Sequence, residues 1–594
     1  MNIVIVNEKT SLQISTISSF FCLSRAGDPI NIDGSFEDWI NIPVAYSDSQ
    51  GDGILSDFSG LKITYDDEFI FIYLSFHDGE FLFQDWNQFH LYIDADNDEN
   101  TGHPIAGIGA ELEWCFGCRS GFQYINDQEI VLVQNDINLR IGPTITSQEF
   151  EIAILRSSMA LTMNNTHLLG EGRLVFFESE AHSDSLPDES GGVSFTIGTD
   201  NTTPVIPIPL EKIDEIDIRI VSYNTLNEGI LDPDRESYFK RIIQALDPDI
   251  IALQEHSDWN QIDEVIQSWF PGDVWHTSWT YRDLVVLSKF PIINDANLIN
   301  SDRTMCALLN TEQELGKNLL IINSHLSCCS NNEDRQQQVD EFLSVWRGWV
   351  LEDEGPFLLE KGTPFVHLGD FNFVGYRHQV ETIRVGDIQD EDQYGSDFFP
   401  DWDSTGIVDL FSRHTHKRMG YTWQNDNSSY NPGKLDYIFY SDAVLDTGRH
   451  FILNTRIMDE QILDSHGLQS DDTYLASDHL PRVIDIRLAA NVNIKEEKTL
   501  PDYFKIFRSF PNPFNSSIHI EFIISSTFYT KITIIDIRGK KIKELIDDIK
   551  PPGSWSITWD GINEQGNPVS TGLYFILFEL NGQHVQTEKA IFLK

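Results

Sequence analysis

The sequence predicts a multidomain protein in which a central α/β domain is flanked by two all-β domains. The chain has 594 residues, and a single hydrophobic core rarely grows beyond about 300 residues. Strand-like alternation of apolar and polar residues occupies both ends of the chain, whereas strand-like and helix-like stretches alternate in its middle. These observations predict separate cores of two different fold classes.

The composition excludes several classes of protein. A formal net charge of −52 argues against a protein that coats nucleic acid non-specifically, because the chain repels polyanions at long range. It does not exclude an enzyme that meets a phosphate through a bound metal ion, which inverts the local field. No apolar run is long enough for a transmembrane helix. Six cysteines are too few for a disulfide scaffold, and the lone Cys115–Cys118 pair favours a local disulfide or inert thiols over zinc.

The N-terminal part divides into a short leader-like segment and a β domain. Residues 1–27 resemble a degenerate signal segment, with a weak basic region and a partly polar apolar stretch. Residues 28–200 contain runs such as LKITY, FIFIYLSF and FHLYIDAD, separated by Asp, Gly and Asn turns. This pattern predicts a β-sandwich.

The opening INIDGSFEDW, followed by those strands, resembles carbohydrate-binding modules of the family-9-like and DOMON type. The resemblance implies a glycan as the ligand of this domain. Within it, Asp94, Asp96 and Asp98 alternate before a glycine turn, a spacing that suits Ca²⁺. It is not an EF-hand loop, because the required Gly and terminal Glu are missing. A calcium site and an acidic hairpin turn both remain open.

A linker and a change of pattern follow. Residues 201–214 contain three prolines between two strand-rich blocks, which predicts a boundary. Residues 215–490 then alternate apolar strands such as IDIRIVSYN and DIIALQE with helical stretches such as SYFKRIIQAL. This alternation is typical of a layered α/β domain.

Polar side chains follow several of these strands, at the points where the strands end or begin. Hydrolysis of a phosphate ester needs a metal to neutralise charge, a group to deprotonate water and donors for the developing oxyanion. Each residue alone has the ordinary interpretation of a turn or strand-end residue. The candidates for this chemistry are Asn224, Glu255, His325, Asp370, Asn372, Asp436, Asp478 and His479.

The motifs GDFN, LDYIF and SDHLP occur intact and in this order. With the strand-end residues they resemble the endonuclease/exonuclease/phosphatase superfamily, which includes DNase I, over Ile216–Leu488. The resemblance implies a four-layered αββα sandwich with the site at one edge between two sheets.

The resemblance also implies roles for the candidate residues. Glu255 would be the principal ligand of Mg²⁺ or Mn²⁺, with Asn224 and Asp478 nearby in the metal and phosphate network. Asp370 and Asn372 would position or deprotonate the attacking water and hold the phosphate. The mechanism would be a direct in-line attack by water.

The two histidines would act on the phosphate and the leaving group. His479 would serve as acid, base or charge stabiliser, and Asp436 would orient it. His325 would be a second imidazole that donates to a phosphate oxygen or protonates the leaving group. The identity of the general base, histidine or aspartate, remains open.

The motifs also separate branches of this superfamily. His325 matches the DNase I, sphingomyelinase and deadenylase branches better than the abasic-site endonucleases. The stretches GDFNFVGYRH and NPGKLDYIF disfavour the inositol polyphosphate 5-phosphatases. The aromatic residues around Pro400 would form a membrane hairpin or, as we favour, loop anchors; they are Tyr394, Phe398, Phe399 and Trp402. The basic residues that could line a nucleic-acid site form no visible stripe; they are Arg282, Lys289, Arg303 and Lys434.

The C-terminal part, residues 505–594, follows a linker at residues 491–504. It carries FPNPFN, a WDG turn at Trp559–Gly561, the strand entry Ser570–Phe575 and a short terminal strand with lysine. These pieces, in this order, resemble an immunoglobulin-like sorting domain of type IX secretion cargo. The resemblance implies a secreted or cell-surface protein whose partner is the type IX secretion machinery.

Together these features predict a secreted, divalent-metal-dependent phosphodiesterase, most simply a nuclease-like hydrolase. One alternative is a hydrolase of the sphingomyelinase or phospholipase C type, which would act on a phospholipid headgroup. The other is a non-catalytic surface-binding protein with an inactive enzyme domain. We expect the chain to be a monomer.

Overall fold

The structure is a computed structural model that describes residues 30–125, 128–162, 168–179, 184–198, 203–280, 282–489, 504–510, 514–524, 528–536, 540–551, 553–580 and 583–593. The predicted leader-like segment and most of the second linker lie outside these residues. The chain forms two compact units, Met1–Ala490 and Asn491–Lys594. The β domain and the α/β domain expected from the sequence are therefore packed together in the first unit.

The N-terminal region is β-rich, as the alternating sequence predicts. Its strands are β1 Val44–Ser47, β2 Phe58–Tyr65, β3 Phe69–Phe76, β4 Phe89–Asp94, β5 His103–Ile105, β6 Ile108–Ala110, β7 Leu112–Cys115, β8 Ser120–Ile125, β9 Gln128–Leu132, β10 Arg140–Gly142, β11 Glu149–Leu155, β12 Gly170–Glu178, β13 Asp184–Leu186 and β14 Val193–Ile197. Short 3₁₀ helices cover Glu37–Trp39, Gln134–Asp136 and Met159–Leu161.

Twelve of these strands form two antiparallel sheets around a common apolar core, and β5 and β6 pair with each other in a separate two-stranded sheet. One sheet has the order β1-β2-β3-β11-β10, and the other has the order β13-β12-β4-β7-β8-β9, with β14 paired to β12. Large apolar side chains from both sheets fill the core, among them Phe58, Trp114 and Phe176. The burial of one face of each strand explains the period of two in the sequence. Cys115 and Cys118 form a disulfide across the turn that follows β7.

The α/β region contains strands and helices in alternation. The strands are β15 Ile218–Asn224, β16 Ile250–Gln254, β17 His276–Trp279, β18 Val285–Ser288, β19 Ile292–Asn297, β20 Thr304–Leu309, β21 Leu319–His325, β22 Phe365–Asp370, β23 Val408–Asp409, β24 Asp436–Tyr440, β25 Leu445–Ile452 and β26 Arg482–Leu488. The helices are α1 Glu236–Leu246, α2 Trp259–Trp269, α3 Asn332–Glu352, α4 His378–Val385, α5 Glu391–Tyr394, α6 Glu460–His466 and α7 Asp472–Ala476, with 3₁₀ turns at Gly229–Leu231 and Thr455–Ile457.

Two six-stranded sheets form the frame of this region. Their orders are β17-β18-β16-β15-β26-β25 and β19-β20-β21-β22-β24-β23. One apolar cluster holds strand residues of both sheets, such as Ile220 and Leu368, so their inner faces pack on each other. Helices α1 and α2 pack on the other face of the first sheet, and α3 and α4 pack on the other face of the second. Strands covered on both faces read as continuous apolar runs, as β16 and β21 do.

The β domain and the α/β domain share an apolar cluster. Ile32, Trp39 and Phe71 of the β domain lie in one buried group with Met419 and Tyr421 of the α/β domain. The backbone amide of Ile32 donates to the carbonyl of Arg418 at 2.9 Å, and the amide of Gly420 donates to the carbonyl of Ile32 at 2.7 Å. The two regions thus contact each other through buried apolar side chains and backbone hydrogen bonds.

The C-terminal unit consists of β-strands, as predicted. They are β27 Phe504–Phe510, β28 Ile518–Ile524, β29 Phe528–Asp536, β30 Lys541–Lys550, β31 Gly553–Trp559, β32 Gly572–Leu580 and β33 Gln583–Phe592. They form sheets of order β27-β28-β31 and β30-β29-β32-β33 around a core that includes Trp559 and Phe578.

Across the described parts of the chain, no helix combines the length and the apolar character needed to cross a membrane.

Candidate active site

Three predicted residues lie side by side at one edge of the second α/β sheet. In the strand register His325 is the partner of Asp370, and Asp370 is the partner of Asp436. This follows from topology, because β21 and β22 run parallel and both end here, while the antiparallel β24 begins here. The buried carboxylate of Asp370 therefore occupies the middle of a row.

The first sheet brings Asn224 and Glu255 to the same edge. Asn224 ends β15 beside Gln254, the last residue of the parallel strand β16, and Glu255 follows directly. The side-chain nitrogen of Asn224 donates to Glu255 Oε1 at 3.1 Å and to Asp370 Oδ2 at 3.0 Å. Asn224 thus bridges the two sheets with its amide nitrogen, while its oxygen accepts from the Leu226 amide at 3.0 Å.

His479 and Asp436 form a buried pair. His479 Nδ1 lies 2.8 Å from Asp436 Oδ2, and His479 Nε2 lies 3.7 Å from Asp370 Oδ2. Burial opposes the charged form of the ring, but the carboxylates of Asp436 and Asp370 prevail and raise the pKa of His479 to about 10. This arrangement fixes the ring and presents its Nε2 to the site.

His325 has a matching partner that the sequence did not indicate. His325 Nδ1 lies 2.7 Å from Asp283 Oδ2, and His325 Nε2 lies 3.8 Å from Asp370 Oδ2. Burial again opposes the imidazolium, yet the bond to Asp283 and the charge of Asp370 raise the pKa of His325. Asp283 stands just before β18 and belongs to no recognisable motif, so only the tertiary structure identifies it.

Asp370 is held between these two imidazoles. Its burial raises its pKa, against the opposing charge of His479. Its Oδ1 accepts the backbone amide of Asn372 at 3.0 Å, and the side chain of Asn372 donates to the carbonyl of Leu326 at 3.2 Å. Asn372 and Glu255 both have left-handed backbones, with φ of 53° and 56°. Such conformations are uncommon outside glycine and concentrate at functional sites.

Asp478 completes the group, and its partner Trp423 is, like Asp283, a residue that the sequence did not indicate. Trp423 Nε1 donates to Asp478 Oδ2 at 3.0 Å, and the amide of Gln424 donates to the carbonyl of Asp478 at 2.9 Å. The other carboxylate oxygen, Oδ1, is covered and has no hydrogen-bond partner among the described residues. The neighbouring Ser477 hydroxyl donates to the Asn224 carbonyl at 2.9 Å, which ties this loop to β15.

The loop that carries Trp423 is anchored by the β domain. We call residues 422–434 the Trp423 loop. Gln134 Nε2 donates to the carbonyl of Ser428 at 3.0 Å and also to the carbonyl of Tyr430. The amide of Asn431 donates to Gln84 Oε1 at 2.8 Å. The β domain therefore holds one wall of the candidate site.

The structure brings all eight predicted site residues into this one region. The aromatic and basic residues that the sequence also singled out lie in different surroundings. Trp402 donates to the carbonyl of Thr363 at 2.8 Å and packs among core residues, which fits a loop anchor rather than a membrane hairpin. Lys434 pairs with Asp409 at 2.8 Å, away from solvent. Arg303 does lie at the site, where its Nη1 donates to the carbonyl of His325 at 2.9 Å.

The donors at this edge fit a hard divalent cation. Carboxylate oxygens are the ligands that Mg²⁺ and Mn²⁺ prefer. The unpartnered Asp478 Oδ1 is the clearest sign, since a buried carboxylate oxygen normally has a partner. Glu255 is half-buried and keeps acceptor capacity beyond its bonds to Asn224 and to the Asn227 amide at 2.9 Å. Asn224 presents its nitrogen, so its orientation suits a bridging donor better than a metal ligand.

The predicted calcium residues of the β domain are placed differently from the expectation. Asp94 and Asp96 come together with Glu111, and ligand oxygens of the three lie within 4.8 Å of one another. Asp98 instead accepts the amide of Asn100 at 3.0 Å and its side chain at 2.8 Å. Glu111 was not foreseen because it lies on the far side of a hairpin.

Comparisons with known proteins agree with this geometry. Residues 221–479 match the model of the Endonuclease/Exonuclease/phosphatase family, and residues 508–593 match the Secretion system C-terminal sorting domain. The central domain belongs to the Endonuclease/Exonuclease/phosphatase family and is a phosphoric ester hydrolase. The C-terminal domain directs type IX secretion to the cell surface or the extracellular space.

Several solved structures are similar to part of the chain. The human Nocturnin catalytic domain with bound sulfate is 16% identical and covers 48% of this chain and 97% of its own, with a TM-score of 0.31. ANGEL2, a 2′,3′-cyclic phosphatase in complex with adenosine-2′,3′-vanadate, is 18% identical, and the match covers 47% of this chain and 97% of the ANGEL2 chain, with a TM-score of 0.32. Humanized D. rerio TDP2 is 16% identical, and the match covers 46% of this chain and 100% of the TDP2 chain, with a TM-score of 0.30. No curated protein matches the chain.

Proposed function

We propose that the chain is a secreted, divalent-metal-dependent phosphodiesterase that hydrolyses its substrate by direct attack of water. The observation that carries the proposal is the row of His325, Asp370 and His479, with Asp283 and Asp436 behind the two imidazoles. Asn224 connects this row to Glu255. The four-layered αββα arrangement, with the site between the edges of two sheets, is part of this proposal.

Glu255 and Asp478 are the residues that we assign to the metal, with Asn224 as a donor between Glu255 and Asp370. A bound Mg²⁺ or Mn²⁺ would neutralise phosphate charge and polarise the phosphoryl group. The unpartnered Oδ1 of Asp478 and the acceptor capacity of Glu255 support this assignment.

The two imidazoles face the phosphate from either side of Asp370. Each ring is anchored through Nδ1 by a carboxylate, so its Nε2 is the free position. We assign His479 to the charge that develops on the phosphate oxygens and His325 to the leaving oxygen. The anchoring carboxylates favour the protonated rings that these roles require.

Asp370 is the carboxylate that lies near the Nε2 atoms of both rings. A carboxylate accepts hydrogen bonds and cannot donate them when it is ionised, so it suits a water molecule that must lose a proton. We assign Asp370 to orienting this water and taking its proton, with Asn372 beside it. Its side chain is fixed by the Asn372 amide and the Asn224 side chain, so it needs no rearrangement.

The proposal is tested on the full chain with bis-p-nitrophenyl phosphate, DNA and RNA. Activity is expected with Mg²⁺ or Mn²⁺ and is expected to vanish in EDTA. Glu255→Ala and His479→Ala are expected to lose it, whereas Glu312→Gln, at an exposed position of the same domain, keeps it. Wild type that cleaves none of these substrates with metal would sink the proposal and favour an inactive domain.

The substrate class is identified by adding sphingomyelin vesicles to the same set of substrates. Release of acid-soluble nucleotides from nucleic acid indicates a nuclease, and release of phosphocholine from sphingomyelin vesicles indicates a lipid hydrolase. Tyr394, Phe398 and Trp402 pack against the core and only Phe399 of the four aromatic residues around Pro400 is exposed, which argues against a bilayer-inserting hairpin. We therefore expect nucleotides.

A further inference from the structure

A second group of carboxylates lies at the open edge of the β-sandwich, away from the catalytic edge. We call Asp48, Asp52, Asp57, Asp184 and Asp188 the edge cluster. Asp48, Asp52 and Asp57 lie between β1 and β2 in one sheet, whereas Asp184 begins β13, at the edge of the other sheet. The cluster therefore joins the two sheets.

The side chains of the edge cluster converge. Ligand oxygens of Asp48, Asp184 and Asp188 lie within 4.8 Å of one another, and the same holds for Asp52, Asp57 and Asp184. Asp184 belongs to both groups and stands at the centre. Like charges at this separation repel strongly unless a cation lies among them.

Backbone amides hold two of these carboxylates in position. Asp184 Oδ2 accepts the amide of Phe58 at 2.6 Å, and Oδ1 accepts the amide of Ser185 at 2.7 Å. Asp57 Oδ2 accepts the amide of Gly51 at 2.8 Å. The loop between β1 and β2 is thus folded around its acidic side chains, as in a preformed ligand site.

Asp48 supplies the independent sign of a missing partner. The residue is only 8% exposed, and both of its carboxylate oxygens are covered without a hydrogen-bond partner among the described residues. None of the ion pairs formed by the described residues includes a member of the edge cluster. A buried carboxylate with neither donor nor counter-charge is strongly unfavourable.

The protonation behaviour of the cluster agrees with this. Burial and then the charges of Asp188, Asp184 and Asp52 raise the pKa of Asp48 to about 7. Burial also raises the pKa of Asp184 to about 6, although the Phe58 and Ser185 amides oppose the rise. No cationic side chain is among the groups that shift these two pKa values most.

We propose that the edge cluster is a binding site for a hard divalent cation, with Ca²⁺ as the ion that fits it best. Ca²⁺ takes six to eight oxygen ligands in flexible geometry, which suits two overlapping groups of three carboxylates joined at Asp184 better than the rigid octahedron of Mg²⁺ does. The ion clamps the edge strands of the two sheets. It is separate from the catalytic metal and from the group of Asp94, Asp96 and Glu111.

Extracellular modules bind Ca²⁺ with dissociation constants of roughly 10⁻⁴–10⁻³ M, which match the Ca²⁺ concentrations that an exported protein meets. The C-terminal sorting domain directs this chain outside the cell. The edge cluster would then complete the β-sandwich only after export, when its carboxylates acquire their counter-charge.

The test compares Ca²⁺ binding and thermal unfolding of the full chain with those of Asp48→Asn and Asp188→Asn. In wild type, saturating Ca²⁺ is expected to raise the Tm of the first unit by about 5 °C relative to EDTA. Each variant is expected to lose most of this shift and one bound Ca²⁺ in equilibrium dialysis. Asp188 is exposed, so its replacement leaves the core intact.

Matched controls separate this site from the others. Asp96→Asn removes a ligand of the other acidic group in the β domain, and Glu255→Gln removes one from the catalytic site; both are expected to keep the Ca²⁺-dependent Tm shift. In EDTA, Asp48→Asn is expected to unfold at a higher temperature than wild type, because repulsion is relieved. If Asp48→Asn and Asp188→Asn both bind as much Ca²⁺ as wild type and show the same shift, the edge cluster is no cation site.

Discussion

Replacing Gln134 in the β domain by alanine should impair a catalytic site to which Gln134 does not itself belong. Gln134 is 2% exposed and donates to the carbonyls of Ser428 and Tyr430 in the Trp423 loop. Trp423 in turn donates to Asp478, a candidate metal ligand. The change therefore removes two of the hydrogen bonds that hold the loop on the β domain, although the bond between Asn431 and Gln84 remains, and it is expected to disturb Asp478 through Trp423.

The magnitude follows from the two lost hydrogen bonds. Each is worth about 1 kcal/mol, so loop docking weakens by about 2 kcal/mol. If the whole loss reaches the transition state, kcat/KM falls about 30-fold. Water can rehydrate the two carbonyls in part, which would make the fall in kcat/KM smaller. A 3-fold fall is the least that the coupling predicts.

The assay is steady-state hydrolysis of bis-p-nitrophenyl phosphate by the full chain with Mg²⁺ or Mn²⁺. Gln123→Ala is the matched control, because Gln123 is also 2% exposed and donates to a backbone carbonyl, that of Met159, inside the β domain. Trp423→Phe should lower kcat/KM, and its combination with Gln134→Ala should be less than additive. Equal kcat/KM values for Gln134→Ala and Gln123→Ala would refute the coupling.

Three further predictions concern the catalytic groups and the stability of the chain. Asp283→Asn leaves His325 in place but removes its counter-charge, so kcat should fall about 10- to 100-fold with little change in KM, and an unchanged kcat would contradict this role. Dialysis against EDTA should abolish hydrolysis, and Mg²⁺ or Mn²⁺ should restore it, whereas recovery without any metal would exclude the assignment of Glu255. Burial raises the pKa of Asp401 to about 7 from 3.8, so its contribution to stability is complete below pH 4, declines as pH rises and is gone above pH 7. Between pH 5 and pH 8 the free energy of unfolding, measured in urea, should therefore fall less for Asp401→Asn than for wild type, by at most about 3 kcal/mol, and parallel pH profiles would argue against it.

The sequence predicts where the candidate site residues come together because most of them stand at strand ends. Asn224, Glu255, His325 and Asp370 each end or follow a buried apolar strand, and parallel neighbours bring such ends together. Local patterning thus determines where these residues meet. The fold of the flanking domains follows from the same kind of pattern, since a period of two is visible without any tertiary information.

The partners of these residues could not be predicted in the same way. Asp283 and Trp423 lie 42 and 55 residues from the side chains that they contact, and no motif marks them. Glu111, rather than Asp98, lies with Asp94 and Asp96 for a similar reason, since the strand pairing decides which carboxylate faces Asp94. Long-range pairing selects these groups, and a single sequence does not display it.

The apolar cluster shared by the two N-terminal domains has a consequence for how such chains diversify. Exchange of the β domain by recombination at residues 201–214 would leave Met419, Tyr421 and their neighbours facing a surface for which they did not evolve. It would also remove Gln134 from the Trp423 loop. The β domain and the hydrolase thus share one interface, and a change of accessory domain would also be a change of enzyme.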